Sequence, residues 1–219
     1  MKKMVSIYVK ALVITLVLFV GNFFLVKYLD ESRAQSLQSQ FDQLQQEIQS
    51  SQLVLLYSQT LGNPEDSCPI LESTVKGQTN RLYLLAAQLR EIESANILAS
   101  TAPLKKRFIL ENVGLWLYLR QLDSLCGKSE TTPVLYFYPE LNDPFCVDCK
   151  TQAEILNQLS GECKNVRVFA FPTDTDIPAV NLIKNRYGVS LTPSIVANEK
   201  LYSGLTSKQA ILSQIQCVA

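Results

Sequence analysis

Cys146 and Cys149 stand with two residues between them, behind an aromatic, β-branched run and at the head of a helical pattern. No other feature constrains the chain as much. A thiol at a helix start faces unpaired backbone N–H groups and the positive end of the helix dipole, and both stabilise an anion. The first cysteine is thereby biased toward its nucleophilic thiolate. The second, one helical turn on, is placed to attack a mixed disulfide formed on the first. Zinc sites use the same spacing but need two more ligands. The chain has no histidine, and Cys163 is the one spare cysteine close in sequence, so no metal is expected.

The missing histidine also removes serine triads and histidine-dependent zinc and copper sites. Lys plus Arg and Asp plus Glu each number 20, so nothing attracts a polyanion and no nucleic-acid partner is expected. A chain of 219 residues accommodates one or two domains with accessory segments. Six cysteines are present, a number that suits disulfides wherever the compartment is oxidising.

The amino terminus bears on compartment. Ala11 to Val26 carries no charge; with Met4 to Tyr8 it reaches about the 20 residues a bilayer core requires. Lys10 interrupts the run near its start, where its ammonium can snorkel to the headgroups. No small-x-small site follows, since the chain reads Asn22-Phe23-Phe24-Leu25, so an uncleaved anchor over residues 1–30 is favoured above a cleaved signal peptide. Lys2, Lys3 and Lys10 precede the run, and Lys27 and Arg33 follow it. The slight bias puts the amino terminus in the cytoplasm and the bulk of the chain outside.

Residues 31–128 read as a helical stalk and module. Leu37, Phe41, Leu44, Ile48 and Leu55 keep an a/d phase, either a dimerising stalk over 31–61 or, the favoured reading, one amphipathic helix packed on the next two. Gly62-Asn63-Pro64 breaks it. Helices are expected over about 70–97, with Leu82, Leu85, Leu89 and Ile92, and over about 103–125, opening at Pro103. Cys68 lies just before the first and Cys126 just after the second. Antiparallel packing of the two would bring these cysteines to one end, where a disulfide is expected; two buried free thiols are the alternative.

From residue 129 the pattern alternates between strand and helix. Val134 to Tyr138 reads as a buried strand between Pro133 and Pro139, core rather than a cofactor box, and no cofactor is expected. The helix after Cys149 runs to about Ser160 and is closed by Gly161. A strand over 166–171, a helix over 178–187, a strand over 190–196 containing Thr192-Pro193, and a hairpin strand ending near Gly204 follow. The last helix opens on a capping box of Thr206 and Gln209.

This order, with Cys146-Val147-Asp148-Cys149 after one strand and Thr192-Pro193 before another, resembles the thioredoxin superfamily over about residues 131–217. The resemblance implies an α/β fold with a central mixed sheet flanked by helices. It also implies a cis Pro193 facing the dithiol, with Thr192 beside it, at the edge that binds the substrate chain. Phe145 would line the rim of the dithiol. Two departures stand out. The strand before the motif offers Tyr136 and no carboxylate where thioredoxins carry a buried proton-transferring Asp, leaving Glu140 in the following turn to substitute for it in proton transfer. The dipeptide is Val147-Asp148, and the negative charge of Asp148 opposes the helix dipole at Cys146. In such a sheet, Cys163 after the motif helix and Cys217 ending the terminal helix fall at the pole away from the dithiol. A structural disulfide is expected there; a buried Cys217 thiol sharing a helix face with Ala210 and Gln214 is the alternative.

The sequence therefore reads as a membrane-anchored extracytoplasmic thiol–disulfide oxidoreductase. Cys146 attacks, Cys149 resolves, and the partners are protein thiols or disulfides and a redox partner. The rivals are a non-catalytic thioredoxin-fold binding module stapled by Cys146–Cys149, and a soft-metal chaperone.

Overall fold

The computed structural model describes residues 49–50, 52–60, 63–94, 102–127, 131–140, 143 and 145–218, together with Leu16. Among these, no helix is long and apolar enough to cross a membrane; the expected anchor over 1–30 and the stripe from Leu37 to Ile48 lie outside the described residues. Residues 54–219 cluster as one unit.

Strand β1 (Thr132–Tyr138) organises this unit. It pairs in parallel with β2 (Val166–Pro172) and antiparallel with β3 (Ser194–Ala197), which pairs antiparallel with β4 (Lys200–Ser203), giving the order β2-β1-β3-β4. Alternate residues of a strand point to opposite faces. Leu135 and Phe137 therefore join Phe169, Phe171 and Val196 in one core, while Val134 and Tyr136 join Ile195 and Ala197 in the other. Pro133 is tolerated inside a central strand for a simple reason. Thr132 N–H donates to Asn165 O on the β2 side, so the nitrogen of Pro133 faces the β3 side, where pairing starts only at Val134.

The first core is covered by α1 (Pro64–Ser94), α2 (Ala102–Cys126) and α4 (Pro178–Tyr187), which contribute Leu82, Ile109, Leu115, Trp116, Val180 and Ile183. The helices read as a module ahead of the sheet thus share its core. Gly114 permits the close approach of α1 and α2, since a Cβ there would lie 3.1 Å from Gln78 Nε2. Between the helices, Leu71, Tyr118 and Leu122 form a smaller cluster that Val54 and Leu55 pack against. The second core is covered by α3 (Val147–Glu162), through Leu156 and Leu159, and by α5 (Lys208–Leu212), through Ile211. Each fully buried side chain of this size contributes about 1.5–3 kcal/mol.

Several element boundaries differ from those expected. α1 begins at Pro64, not 70, because Asn63 caps it: its Oδ1 accepts from Asp66 N–H at 2.9 Å and its carbonyl from Ser67 N–H. Pro69 and Cys68 consequently lie inside the helix. Gly161 does not close α3, which continues to Glu162 and is capped at Cys163. Residues 190–193 are not strand; β3 starts after a cis Thr192–Pro193 peptide. The cap of α5 is Ser207, whose hydroxyl accepts from Ala210 N–H, and not Thr206. Thr206 is occupied elsewhere: its N–H donates to Gln152 Oε1 at 2.7 Å and its carbonyl accepts from Gln152 Nε2 at 3.2 Å.

α5 ends at Leu212, so Cys217 shares no helix face with Ala210. It sits on an extended tail that Asn165 grips through Val218 N–H and Gln216 O. Two disulfides anchor the frame, Cys68–Cys126 and Cys163–Cys217, with Cα separations of 5.9 and 5.0 Å. In the β3–β4 turn, Asn198 and Glu199 both have positive φ, as a two-residue hairpin requires. Glu199 there accepts from Arg120 on α2 and from Tyr187 on α4.

Gln152 is fully buried. Gln152→Leu is expected to cost about 2–4 kcal/mol, because it orphans the buried N–H and carbonyl of Thr206. Replacing Cys68 and Cys126 together by serine should cost about 2–4 kcal/mol through release of the unfolded chain. Both losses are read from urea unfolding, the first from the midpoint at unchanged slope and the second from the extrapolated stability with a steeper slope, since the freed unfolded chain exposes more surface.

Candidate functional site: the Cys146–Cys149 dithiol

The C-terminal end of β1 and the first turn of α3 build the site. Cys146 N–H donates to Asp143 O at 3.2 Å, and Cys146 then serves as the N-cap of α3. Its sulfur accepts from Cys149 N–H at 3.1 Å, so a helix N-terminal donor is aimed at the atom that would carry thiolate charge. Cys146 and Cys149 are bonded to one another, with Cα atoms 5.2 Å apart. The pair is asymmetric: Cys146 is half-buried, whereas Cys149 is only 7% exposed. An incoming group meets Cys146 first.

The cis peptide brings Pro193 to the same end of the sheet. Ser194 pairs with Phe137 near the end of β1, so the preceding Pro193 lies at the pole where the chain turns toward Cys146. Pro193 is buried, and its carbonyl accepts from Gly204 N–H at 2.8 Å. Thr192 is half-buried. Large apolar side chains in this region are left in solvent: Phe145 is 78% exposed, Val147 73% and Leu191 61%. Lys150 Nζ sits 5.7 Å from the centre of the Phe145 ring. Asp148 is exposed. Cys163 and Cys217 lie at the opposite end of α3, a helix of 16 residues, about 24 Å long.

Glu140, the carboxylate considered for proton transfer, is engaged by Lys105 of α2 at 3.2 Å, and its backbone N–H donates to Asp174 Oδ1. The side chain of β1 that reaches the motif helix is a phenol. Tyr136, only 6% exposed, donates its hydroxyl to Cys149 O at 2.7 Å and stacks on Tyr138 with ring centres 5.5 Å apart. Burial pushes the Tyr136 phenol up to about 12. Burial, followed by the nearby charge of Glu140, raises that of Tyr138. The sequence marks Tyr136 as the residue the strand offers in place of a carboxylate, but not its bond to the motif helix. The available signal was its parity, which turns its polar tip toward the motif helix. Gln152, whose amide ties α3 to the turn before α5, was also missed; a polar residue three places after Cys149 on the apolar side of α3 was its signal.

Among the described residues, no three His, Cys, Asp or Glu side chains gather as a metal site would require. A cavity of about 510 Å³ lies at the far pole, between α2, the β3–β4 turn and the carboxyl-terminal tail, and is lined by Trp116, Arg120, Glu199 and Gln214 among others. It shares no residue with the dithiol.

No protein-family model matches this chain, and no curated protein matches it. Among solved structures, a malarial protein is similar at 18% identity over 38% of this chain and 92% of that one, with a TM-score of 0.29.

The raised phenols make stability depend on alkaline pH. The native state keeps the Tyr136 proton up to about pH 12, whereas the unfolded chain releases it near 10.0, the ordinary value of a phenol. Stability from this group is therefore complete below about pH 10 and falls as pH rises toward 12, by about 1.4 kcal/mol per pH unit. Thermal unfolding between pH 8 and 11.5 should show the decline, and Tyr136→Phe should lessen it, leaving the part due to Tyr138.

Proposed function

We propose that the chain is a thioredoxin-like thiol–disulfide oxidoreductase that exchanges disulfides with protein substrates through Cys146 and Cys149, held at a membrane by residues 1–30 with its catalytic part outside the cytoplasm. The observation that carries this reading is the dithiol at the N-cap of α3, with the first sulfur reachable and hydrogen-bonded and the second buried. The sheet order β2-β1-β3-β4 and the cis Thr192–Pro193 peptide at the dithiol end of the sheet support it.

In the reducing direction, the Cys146 thiolate attacks a substrate disulfide. A Cys146–substrate bond forms, the substrate S–S bond breaks, and one substrate thiolate leaves. Cys149, deprotonated, then attacks Cys146. The mixed disulfide breaks, Cys146–Cys149 closes, and the second substrate thiolate leaves; two electrons have passed to the substrate, whose thiolates take up the two protons lost by the cysteines. The oxidising direction reverses each step, and the potential of the redox partner chooses between them. Phe145, Val147 and Leu191 offer apolar contacts to the chain beside the substrate cysteine, and Thr192 and Pro193 shape that edge. Asp148 sets its charge against the helix dipole at Cys146.

The full-length chain equilibrated in glutathione buffers, alkylated and mapped by mass should show Cys146 and Cys149 titrating reversibly while Cys68, Cys126, Cys163 and Cys217 stay paired. Cys146→Ser should abolish exchange, and Cys149→Ser should accumulate a mixed disulfide on Cys146. A pair that stays oxidised throughout, or titrates no more readily than Cys163–Cys217, makes the dithiol a staple and ends the catalytic reading.

A further inference from the structure

The main chain of Cys149 lies between two peptide groups, and both end on Cys146. On one side, Cys149 N–H donates to Cys146 Sγ at 3.1 Å. On the other, the peptide joining Cys149 to Lys150 sends its N–H to Cys146 O at 3.2 Å. The carbonyl of that second peptide accepts from the Tyr136 hydroxyl at 2.7 Å. A continuous line of hydrogen bonds thus runs from β1, through the first turn of α3, to Cys146, and bonds in such a line polarise one another.

From this geometry we infer that Tyr136 is a positioning residue of the dithiol: its hydroxyl fixes the Cys149 main chain so that Cys149 N–H stays aimed at the Cys146 sulfur. The inference rests on the exchange reading above and names the group that tunes that site. A disulfide sulfur accepts such a bond weakly, whereas a thiolate accepts it as a charge-assisted bond. Holding the donor in place therefore favours the reduced pair and raises the thiolate fraction of Cys146. Tyr136 stays protonated through the physiological range, so it acts as a fixed neutral donor and not as a base.

The ionisable groups that flank this turn are Asp148 and Lys150 on α3, Asp143 and Glu140 before it, and Tyr138 on β1. Segments 190–193 and 204–207, at the same end of the sheet, carry none. All of these groups survive a change at Tyr136.

The test uses the full-length chain with Cys146–Cys149 reduced. The pH dependence of Cys146 alkylation gives the thiolate fraction, and glutathione equilibration gives the redox constant. Tyr136→Phe is expected to lower the thiolate fraction at neutral pH about threefold, half a pH unit, and to shift the glutathione equilibrium toward the disulfide by a similar factor. A fluorinated tyrosine at position 136, a stronger donor that keeps the ring, should move both the other way; it decides the question if the phenylalanine variant does not fold. Tyr138→Phe should leave both unchanged. Loss of stability in Tyr136→Phe with both readouts unmoved overturns the inference, as does an equal shift in Tyr138→Phe. Alkylation needs no redox partner, so a wild-type pair that fails to exchange with glutathione sinks the exchange reading, while the alkylation profile still decides the role of Tyr136.

Discussion

Burial of β1 on both faces is the constraint on which the rest depends. Val134 to Phe137 are all buried, so every side chain of that stretch must find a partner layer. The odd residues face α1, α2 and α4, and the even ones face α3 and α5. A one-residue slip of β1 would exchange the two sets and turn the Tyr136 hydroxyl away from Cys149. The register that builds the cores therefore also places the one polar tip that touches the motif helix.

Much of this was legible in the sequence where local chemistry is strong. The aromatic run of β1, the helix over 178–187 closed by left-handed Gly188, and the cysteine pair at the head of α3 each declare themselves within a few residues. The errors fall where a side chain has two uses. Thr206 has the chemistry of a cap, but Gln152 takes its backbone and Ser207 caps instead. The helix expected from about residue 70 starts earlier, at Pro64 behind the Asn63 cap, and Pro69 is carried within it. Gly161 looks like a stop and is simply a helical residue. Long-range partners such as Lys105 for Glu140 and Asn165 for the tail have no local signature at all.

At the dithiol, the same economy appears in the electrostatics. Negative groups lie around it, with Asp148 on the motif helix and Glu140 in the turn before it, but the latter is neutralised by Lys105 on the other side of the sheet. What approaches the motif helix from below is uncharged. The donor of Cys149 and the dipole of α3 thus act on Cys146 without a buried anion working against them. Phe145 and Val147, the chain neighbours of Cys146, are both left exposed.

The three disulfides join cysteines that are neighbours in chain order: 68 with 126, 146 with 149, and 163 with 217. Six cysteines allow 15 full pairings, and this one contains no crossing and no nesting. A chain made from its amino terminus exposes each cysteine's proper partner before any competitor beyond it has emerged. The order of synthesis alone can therefore lead to the native pairing, and isomerisation is needed only when closure lags behind elongation.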